Sequence, residues 1–277
     1  MRERFDRPPR VLVFDSGLGG LTVHAEIVKA RPDVDITYVA DDARFPYGDL
    51  REDELIARVE RIVGACVASS TPDVVVIACN TASTLVLPPL RERHPNLPFV
   101  GTVPAIKPAA ERSRSRLISV LATPGTVARD YTRALVRNFA DDCEVELVGS
   151  GKLAEIAERR LRGERVESEE IAREIAPCFV AREGLRTDQI VLACTHFPLL
   201  LDLFETLAPW PVEFVDPAPA IARRVDWLLG PACRPIRDGT PHRAIFTSAR
   251  PPAPDLQKAL LRLGLEVSSV APRLIEA

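Results

Sequence analysis

The amino-acid sequence predicts an α/β protein of two pseudo-symmetric three-layer α/β/α domains, with mostly parallel sheets and an active site in the cleft between them. Two observations carry this prediction: short apolar runs alternate with amphipathic, helix-like segments, and the chain contains an internal repeat. Continuous apolar strands that alternate with helices are typical of parallel sheets covered on both faces. With 277 residues, 46% of them hydrophobic, the chain can fill one large domain or two modest ones.

Eight apolar runs of four to six residues are predicted as strands, each bounded by polar residues or glycine. The runs lie at residues 11–15, 36–40, 74–79, 99–102, 117–122, 144–148, 190–194 and 212–215. Amphipathic patterns predict helices at 52–68, 128–138, 153–161, 169–181 and 254–263. Two more strand-like runs, within PHRAIFTSAR and LGLEVSSV, flank the last of these helices.

The internal repeat joins two blocks in one register. VVIACNT at 75–81 resembles IVLACTH at 190–196, with an offset of 194 − 79 = 115 residues between their cysteines. At the same offset FVGTVPAI at 99–106 falls on FVDPAPAI at 214–221, where five of the eight residues are identical. Similar strand composition explains the shared valines but not the shared Ala-Cys and Pro-Ala-Ile. We therefore interpret the two halves as a duplication.

The duplication predicts where two cysteines lie. If the halves are related by a pseudo-twofold axis, Cys79 and Cys194 stand at the carboxyl ends of equivalent strands, outside which α/β sheets bind their ligands. Facing halves then present one thiol from each side of a shared cleft. The order of the elements assigns 1–102 plus 217–277 to the first domain and 103–216 to the second, because the chain must return to add its final strands to the first domain.

Composition excludes several function classes. A net charge of −3 and an isoelectric point near 5.9 provide no basic field for nucleic acid. The N-terminal MRERFDRPPR lacks the apolar core of a signal peptide, and the apolar runs are too short to span a bilayer. Six cysteines without CxxC spacing favour reduced thiols. We expect a cytoplasmic protein that binds neither nucleic acid nor membrane.

The Cys-x-His motif of Cys194 and His196 suits a metal site, a nucleophile–base pair, or two residues packed at a strand end. A metal site needs three or four ligands, and Cys79 would complete only a set of three. Two related thiols across a cleft need no metal, so none is expected. The remaining alternative, cysteine as a small buried hydrophobe, suits the cysteines outside the repeat better.

The FDSGLGG stretch at 14–20 follows the first predicted strand. Glycine-rich loops at this place can cradle phosphates, but this one lacks the lysine of a P-loop and does not fit G-x-G-x-x-G. Asp15 would repel a phosphate and is better suited to hold an ammonium group or to assist a nearby base. The alternative is that Asp15 only caps the following helix.

Three turns add groups that suit carboxylates. Pro46-Tyr47-Gly48 can present backbone amides or the Tyr47 hydroxyl, while CNTAS at 79–83 and ATPGT at 122–126 place hydroxyls at predicted helix starts. With Asp15 for an ammonium group, these turns predict a small zwitterionic ligand. Its central carbon would lie between the two thiols.

At this point the motifs resemble the cofactor-independent glutamate racemases of the aspartate/glutamate racemase superfamily. The matching segments are DSGLGGLTV (15–23), ADDARFPYGDL (40–50), ACNTAS (78–83), VPAIKPA (103–109), ATPGTV (122–127) and CTHFPLL (194–200). The resemblance spans some three quarters of the chain, from residue 11 to about 225. It implies a two-domain fold with the site between the domains, and interconversion of L- and D-glutamate without pyridoxal phosphate or another cofactor, supplying D-glutamate for peptidoglycan.

The resemblance also implies roles for individual residues. Cys79 and Cys194 become the two acid/base thiols, with Asp15 supporting the first and His196 the second; Cys79 deprotonates D-glutamate and Cys194 deprotonates L-glutamate. The implied substrate-binding residues are Asp15, Ser16, Tyr47, Gly48, Asn80, Thr81, Thr123, Thr126, Thr195 and His196.

One segment departs from the family's pattern. Many members carry a proline-rich segment ending in a glutamate after the sixth strand, and that glutamate assists the second thiol. CEVELVGSGKLAEIAERRLRG (143–163), with Gly149-Ser150-Gly151, has no matching acid. The segment is similar to the branch that UDP-N-acetylmuramoyl-alanine activates, so we expect that activation here, in a monomer or homodimer. The alternatives are a superfamily racemase acting on aspartate or hydantoin, and a non-catalytic amino-acid-binding regulator.

Overall fold

The computed structural model describes residues 6–232, 239–248 and 250–268. Cys233 and the last residues of the LGLEVSSV run lie outside these ranges. The strands of the described part are β1 (Arg10–Asp15), β2 (Asp35–Ala40), β3 (Val74–Ile77), β4 (Phe99–Gly101), β5 (Leu117–Ala122), β6 (Glu144–Gly149), β7 (Ala181–Arg182), β8 (Leu185–Arg186), β9 (Gln189–Ala193), β10 (Glu213–Val215), β11 (His242–Phe246) and β12 (Leu265–Val267).

Helices connect most of these strands. They are α1 (Leu21–Ala30), α2 (Glu52–Ser70), α3 (Asn80–Arg93), α4 (Ile106–Arg112), α5 (Pro124–Ala128), α6 (Asp130–Phe139), α7 (Leu153–Leu161), α8 (Ser168–Ile175), α9 (Leu201–Leu207), α10 (Ala218–Leu229) and α11 (Pro254–Arg262).

The strands form two parallel sheets and one small antiparallel hairpin. The first sheet has the order β12-β11-β2-β1-β3-β4 and the second the order β10-β9-β5-β6, while β7 and β8 pair with each other. All pairs within the two larger sheets are parallel. The prediction of an α/β fold with mostly parallel sheets is confirmed.

The two sheets repeat one arrangement. The run β2-β1-β3-β4 of the first sheet corresponds, strand by strand, to β6-β5-β9-β10 of the second. Strand β3 precedes Cys79 and β9 precedes Cys194, as the 115-residue register requires. The first sheet draws its strands from both ends of the chain and the second from the middle. Boundaries near 102 and 216 stay predictions.

Apolar residues cover both faces of each sheet. On the first sheet one core packs α1 and α10 against side chains such as Val13 and Val76, and the other packs α2 and α3 against Leu12 and Val75. Two further cores cover the faces of the second sheet. Alternate side chains of one strand enter opposite cores, which is why the parallel strands are continuously apolar.

Several predicted boundaries need correction. The helix predicted at 128–138 is wrong at its start, because Arg129 is extended and separates α5 from α6. The helix predicted at 169–181 runs too far: α8 ends at Ile175, just before Pro177, and a hairpin follows. Strands β3 and β9 end before Cys79 and Cys194, so both thiols stand just past their strands.

The predicted helix ranges omit α1, α3, α4, α9 and α10. Of α3, the sequence predicts only the start, at CNTAS. Pro88 and Pro89 lie inside this helix and obscure its helical pattern in the sequence.

In the described ranges, no helix combines the length and apolar character needed to cross a membrane.

The buried histidine of α1 makes the fold sensitive to acid. His24 is 1% exposed, neither ring nitrogen has a hydrogen-bond partner within the described ranges, and its ring stands edge-on to His242 at 5.3 Å. Burial, aided by the nearby His242, lowers the pKa of His24 to about 3 from an ordinary value of 6.5. Between these two pH values the unfolded chain binds the proton that the folded chain refuses, so stability falls as pH falls.

We therefore expect His24→Leu to flatten the loss of stability below pH 6.5. The His24 contribution to the slope is at most about 1.4 kcal/mol per pH unit. Urea unfolding at pH 7, 5.5 and 4.5 measures it, with the half-buried His94→Leu as a matched control. An acid slope unchanged in His24→Leu, or equally reduced in the control, would contradict the assignment.

Candidate active site

The carboxyl ends of the two sheets face each other, and their side chains bond across the gap. Asp15, the last residue of β1, is fully buried, and its Oδ2 accepts a hydrogen bond of 3.0 Å from the Thr195 hydroxyl. Its Oδ1 accepts the Gly17 amide at 2.8 Å, whereas α1 begins with no side-chain cap. Asp15 is therefore not the cap of α1. Burial raises its pKa, and the attraction of His196 only partly opposes this.

The glycine loop lets backbone approach the second domain closely. A Cβ atom at Gly17 would lie 2.2 Å from Glu158 Oε1, and one at Gly19 would lie 2.4 Å from His196 Nδ1. The amide of Leu18, between the two glycines, donates to Glu158 Oε1 at 2.9 Å. The loop that could have cradled a phosphate instead holds a carboxylate and an imidazole of this same chain.

Cys79 lies where β3 ends and α3 begins. It occupies the N-cap position of α3 without a side-chain capping hydrogen bond, and the residue is 6% exposed. Burial and the charge of Asp15 raise the pKa of Cys79 to about 12, against a weaker lowering by a hydrogen bond with Ser16. Cys79 is therefore a neutral thiol near pH 7 in this arrangement.

Cys194 occupies the equivalent position after β9 and has a different partner. Its side chain is 7% exposed, and its Sγ lies 3.9 Å from His196 Nδ1. On the other side of the ring, His196 Nε2 lies 3.2 Å from Glu158 Oε1. A sulfur, an imidazole and a carboxylate thus stand in line.

This line carries a buried positive charge. Burial disfavours the imidazolium, but contacts with Cys194 and Glu158 outweigh it and raise the pKa of His196 to about 10. Burial likewise disfavours the Glu158 carboxylate, but hydrogen bonds from His196 and Leu18 hold the pKa of Glu158 below its usual range. The Gly19 amide also points at Nε2, at 3.1 Å, but a protonated Nε2 donates to Glu158 and does not accept.

Glu158 is the functional residue that the sequence did not reveal. The expectation that 143–163 lacks an acid for the second thiol is wrong, because α7 brings Glu158, 1% exposed, against His196. Arg162, one turn further along the chain, pairs with its other oxygen. The available signal was an acid on the core-facing side of α7, between Ala157 and Leu161.

The two thiols line one small cavity of about 20 Å³. Ten of the predicted site residues line it: Ser16, Tyr47, Gly48, Cys79, Asn80, Thr81, Thr123, Cys194, Thr195 and His196. Phe45, Pro46 and Ala154, which were not predicted, complete the wall. Asp15 and Thr126 lie behind this layer, where Thr126 contacts the Thr81 and Thr123 hydroxyls at 3.4 and 3.0 Å.

The cavity contains unused hydrogen-bonding groups. Both polar atoms of the Asn80 side chain are buried and find no partner in the described part of the chain. The Thr81 and Thr123 hydroxyls contact each other across the domains at 3.2 Å. Because buried polar groups are normally satisfied, Asn80 marks the cavity as a place for a polar ligand.

The Tyr47 hydroxyl donates to Asp41, so its proton is already used within the protein. Of the two alternatives for this turn, the backbone amides remain to be presented to a ligand. Phe45, Pro46, Tyr47 and Gly48 all line the cavity. Burial and the charge of Asp41 raise the pKa of Tyr47 well above its ordinary value, which keeps the hydroxyl a donor.

Comparison of the sequence with known proteins identifies its relatives. A sequence model of the Asp/Glu/hydantoin racemase family matches residues 22–225. Glutamate racemase of Brucella anthropi is 57% identical over 226 residues, which is 82% of this chain and 81% of the relative. Glutamate racemase of Brucella abortus is 56% identical over 224 residues, or 81% and 80% of the two chains.

Solved structures agree in fold. A crystal structure of Escherichia coli glutamate racemase, in complex with L-glutamate and the activator UDP-MurNAc-Ala, has a TM-score of 0.86 and 41% identity, covering 95% of this chain and 99% of that one. Glutamate racemase of Thermus thermophilus has a TM-score of 0.71 at 26% identity, covering 97% and 99%. The chain therefore belongs to the Asp/Glu/hydantoin racemase family and is an amino-acid racemase.

Proposed function

We propose that this chain is a glutamate racemase that moves the α-proton by two-base chemistry between Cys79 and Cys194. The observation that carries the proposal is the pair of thiols lining one small cavity from pseudo-equivalent strand ends of two facing sheets. Identity of 57% to a curated glutamate racemase supports glutamate as the substrate.

Racemisation needs one base and one acid on opposite faces of Cα. One thiolate takes the α-proton, the C–H electron pair stays on the carbon as a stabilised carbanion, and the opposite thiol then gives a proton to the other face. The product leaves the two sulfurs with exchanged protonation states, ready for the reverse reaction. Proton transfer by a positioned side chain contributes about 10²–10⁴-fold to a rate.

The two thiols have different charged neighbours. His196 Nδ1 lies 3.9 Å from Cys194 Sγ, close enough to exchange a proton with that sulfur. Cys79, next to the negative Asp15, is held as the thiol. We propose that Cys194 deprotonates L-glutamate while Cys79 donates, and that the roles reverse for D-glutamate.

Polar groups of the wall would hold the substrate. The unpaired amide of Asn80 and the Thr81 and Thr123 hydroxyls are placed to receive carboxylate and ammonium groups. Hydrogen-bond donors near the α-carboxylate also stabilise the charge that develops on deprotonation. A cavity of about 20 Å³ holds roughly one water molecule, so glutamate requires that the walls separate first. Closure on the substrate then excludes water from the carbanion.

We further propose that the product serves as D-glutamate for peptidoglycan in the cytoplasm. The E. coli structure holds UDP-MurNAc-Ala as an activator, and 41% identity supports the same response in this chain. A ligand that prefers one arrangement of the two domains would shift the population of that arrangement.

Replacement of either thiol tests the two-base mechanism. We expect Cys79→Ser and Cys194→Ser each to lower racemisation of L-glutamate by about 10³-fold, because a hydroxyl is too weak an acid and base. Chiral chromatography of the products measures this, and in D₂O the wild-type product enantiomer should carry deuterium at Cα. Half-exposed Cys143→Ser is the matched control. Near-wild-type turnover in either active-site variant, or protium retained at Cα, would contradict the mechanism.

Glu158→Gln tests whether the Glu158 carboxylate sustains the buried His196 imidazolium. Loss of the carboxylate removes a charged hydrogen bond of about 1.5–3 kcal/mol, so we expect a roughly 10- to 100-fold loss of kcat/KM. Because Glu158 raises the pKa of His196, its loss should move the alkaline limb of the pH–rate profile to lower pH. Exposed Glu155→Gln on the same helix is the control. An alkaline limb that stays in place would show that Glu158 does not sustain the imidazolium.

Activation is tested by adding UDP-N-acetylmuramoyl-alanine to the purified chain. We expect a higher kcat/KM for L-glutamate in its presence, since it would stabilise the productive domain arrangement. UDP-N-acetylglucosamine, which lacks the lactoyl-alanine group, is the control nucleotide. Equal rates with and without the activator would end this part of the proposal.

A further inference from the structure

We propose that Asp41 is a positioning residue that fixes the Phe45–Gly48 turn against the substrate cavity, and that it is itself held from outside the site by Arg58 and Thr247. This inference rests on the proposed function, because its kinetic test uses glutamate. Asp41 does not line the cavity.

Asp41 binds the turn without lining the cavity. Its side chain is fully buried and accepts the Tyr47 hydroxyl through Oδ2, while its backbone amide donates to the Asp15 carbonyl at 2.8 Å. Tyr47 is in turn part of the core that contains Phe14 and Cys79. One residue thus joins the ends of β2 and β1 through its backbone amide, and it joins them to the turn that forms one wall of the site through its carboxylate.

Two further groups hold this carboxylate in place. Arg58 of α2 donates from Nε to Oδ2 and from Nη2 to Oδ1, both at 2.6 Å, in a bidentate pair. The Thr247 hydroxyl, just after β11, donates to Oδ1. A bidentate arginine and a hydroxyl hold the carboxylate in one orientation toward the Tyr47 hydroxyl.

Thr247 belongs to the segment that returns after the second domain. The racemase family model ends at residue 225, yet β11 pairs with β2 and brings Thr247 to Asp41. The same strand end anchors the neighbouring acid, because Ser248 donates from its amide to Asp42 at 2.8 Å. The returning segment therefore contributes to the shape of the site without lining it.

The opposite side of the turn meets the second domain. A Cβ atom at Gly125 of α5 would lie 3.5 Å from the Gly48 carbonyl oxygen, and Arg129 pairs with Glu52 just after the turn. A shift of the turn would thus change the wall of the cavity and would also disturb the contact of the turn with the second domain. Asp41 should matter for substrate affinity more than for proton transfer, because it touches no reacting atom.

Asp41→Asn tests the inference through a KM-against-kcat split. We expect KM for L-glutamate to rise at least tenfold while kcat changes less than fivefold, the pattern of lost uniform binding. Tyr47→Phe and Thr247→Val should raise KM in the same direction but less. Asp41→Asn combined with Tyr47→Phe should match Asp41→Asn alone, since both act through one contact. Asp53→Asn, at an exposed acid of α2 that pairs with Arg51, should stay within twofold of wild type.

Three results would overturn the inference: KM within twofold of wild type in Asp41→Asn, a fall in kcat at unchanged KM, or multiplying KM effects in the double variant. If Asp41→Asn fails to fold because Arg58 is left unpaired, Tyr47→Phe and Thr247→Val carry the test with the ion pair intact. Amide hydrogen exchange over residues 42–50 gives a substrate-free readout, which should accelerate in these variants but not in Asp53→Asn. Failure of wild type to racemise glutamate would instead reject the proposed function and leave the exchange test standing.

Discussion

The buried pair of Glu158 and His196 is the interaction on which the rest of the site depends. Both residues belong to the second domain, and Leu18 of the first domain donates to the same carboxylate, so the pair also links the two domains. Burying two charges is costly unless they are paired and hydrogen-bonded, and here both conditions are met. The pair requires glycine at positions 17 and 19, because any side chain at either position would collide with Glu158 or His196.

A duplicated fold has here produced an asymmetric pair of thiols. Cys79 and Cys194 follow equivalent strands, yet one faces Asp15 and the other an imidazolium. The proposed two-base mechanism requires one thiol charged and one neutral before each turnover. The similar backbones of the two halves place a sulfur on each side of the cavity, and the different neighbours make the two sulfurs chemically unequal.

Much of the fold follows from local pattern. Strand β5 and helix α7 have the predicted bounds, and the 115-residue register matches the strand orders of the two sheets. The errors have local causes too: α3 contains two prolines, and α8 ends before Pro177. Ten of the predicted site residues line the cavity, because strand-end positions in parallel sheets converge wherever the chain places them.

The sequence by itself determined the two-sheet architecture, the pairing of Cys79 with Cys194 and the family, because apolar periodicity, an exact register and ordered motifs are all properties of the chain written in one dimension. Only the tertiary structure decided which groups support those thiols. Glu158 meets His196 from 38 residues away, and Thr247 meets Asp41 from 206 residues away. Such contacts depend on how helices and a returning strand pack against the sheets. The local sequence around an acid on a helix does not indicate which distant residue that acid will contact.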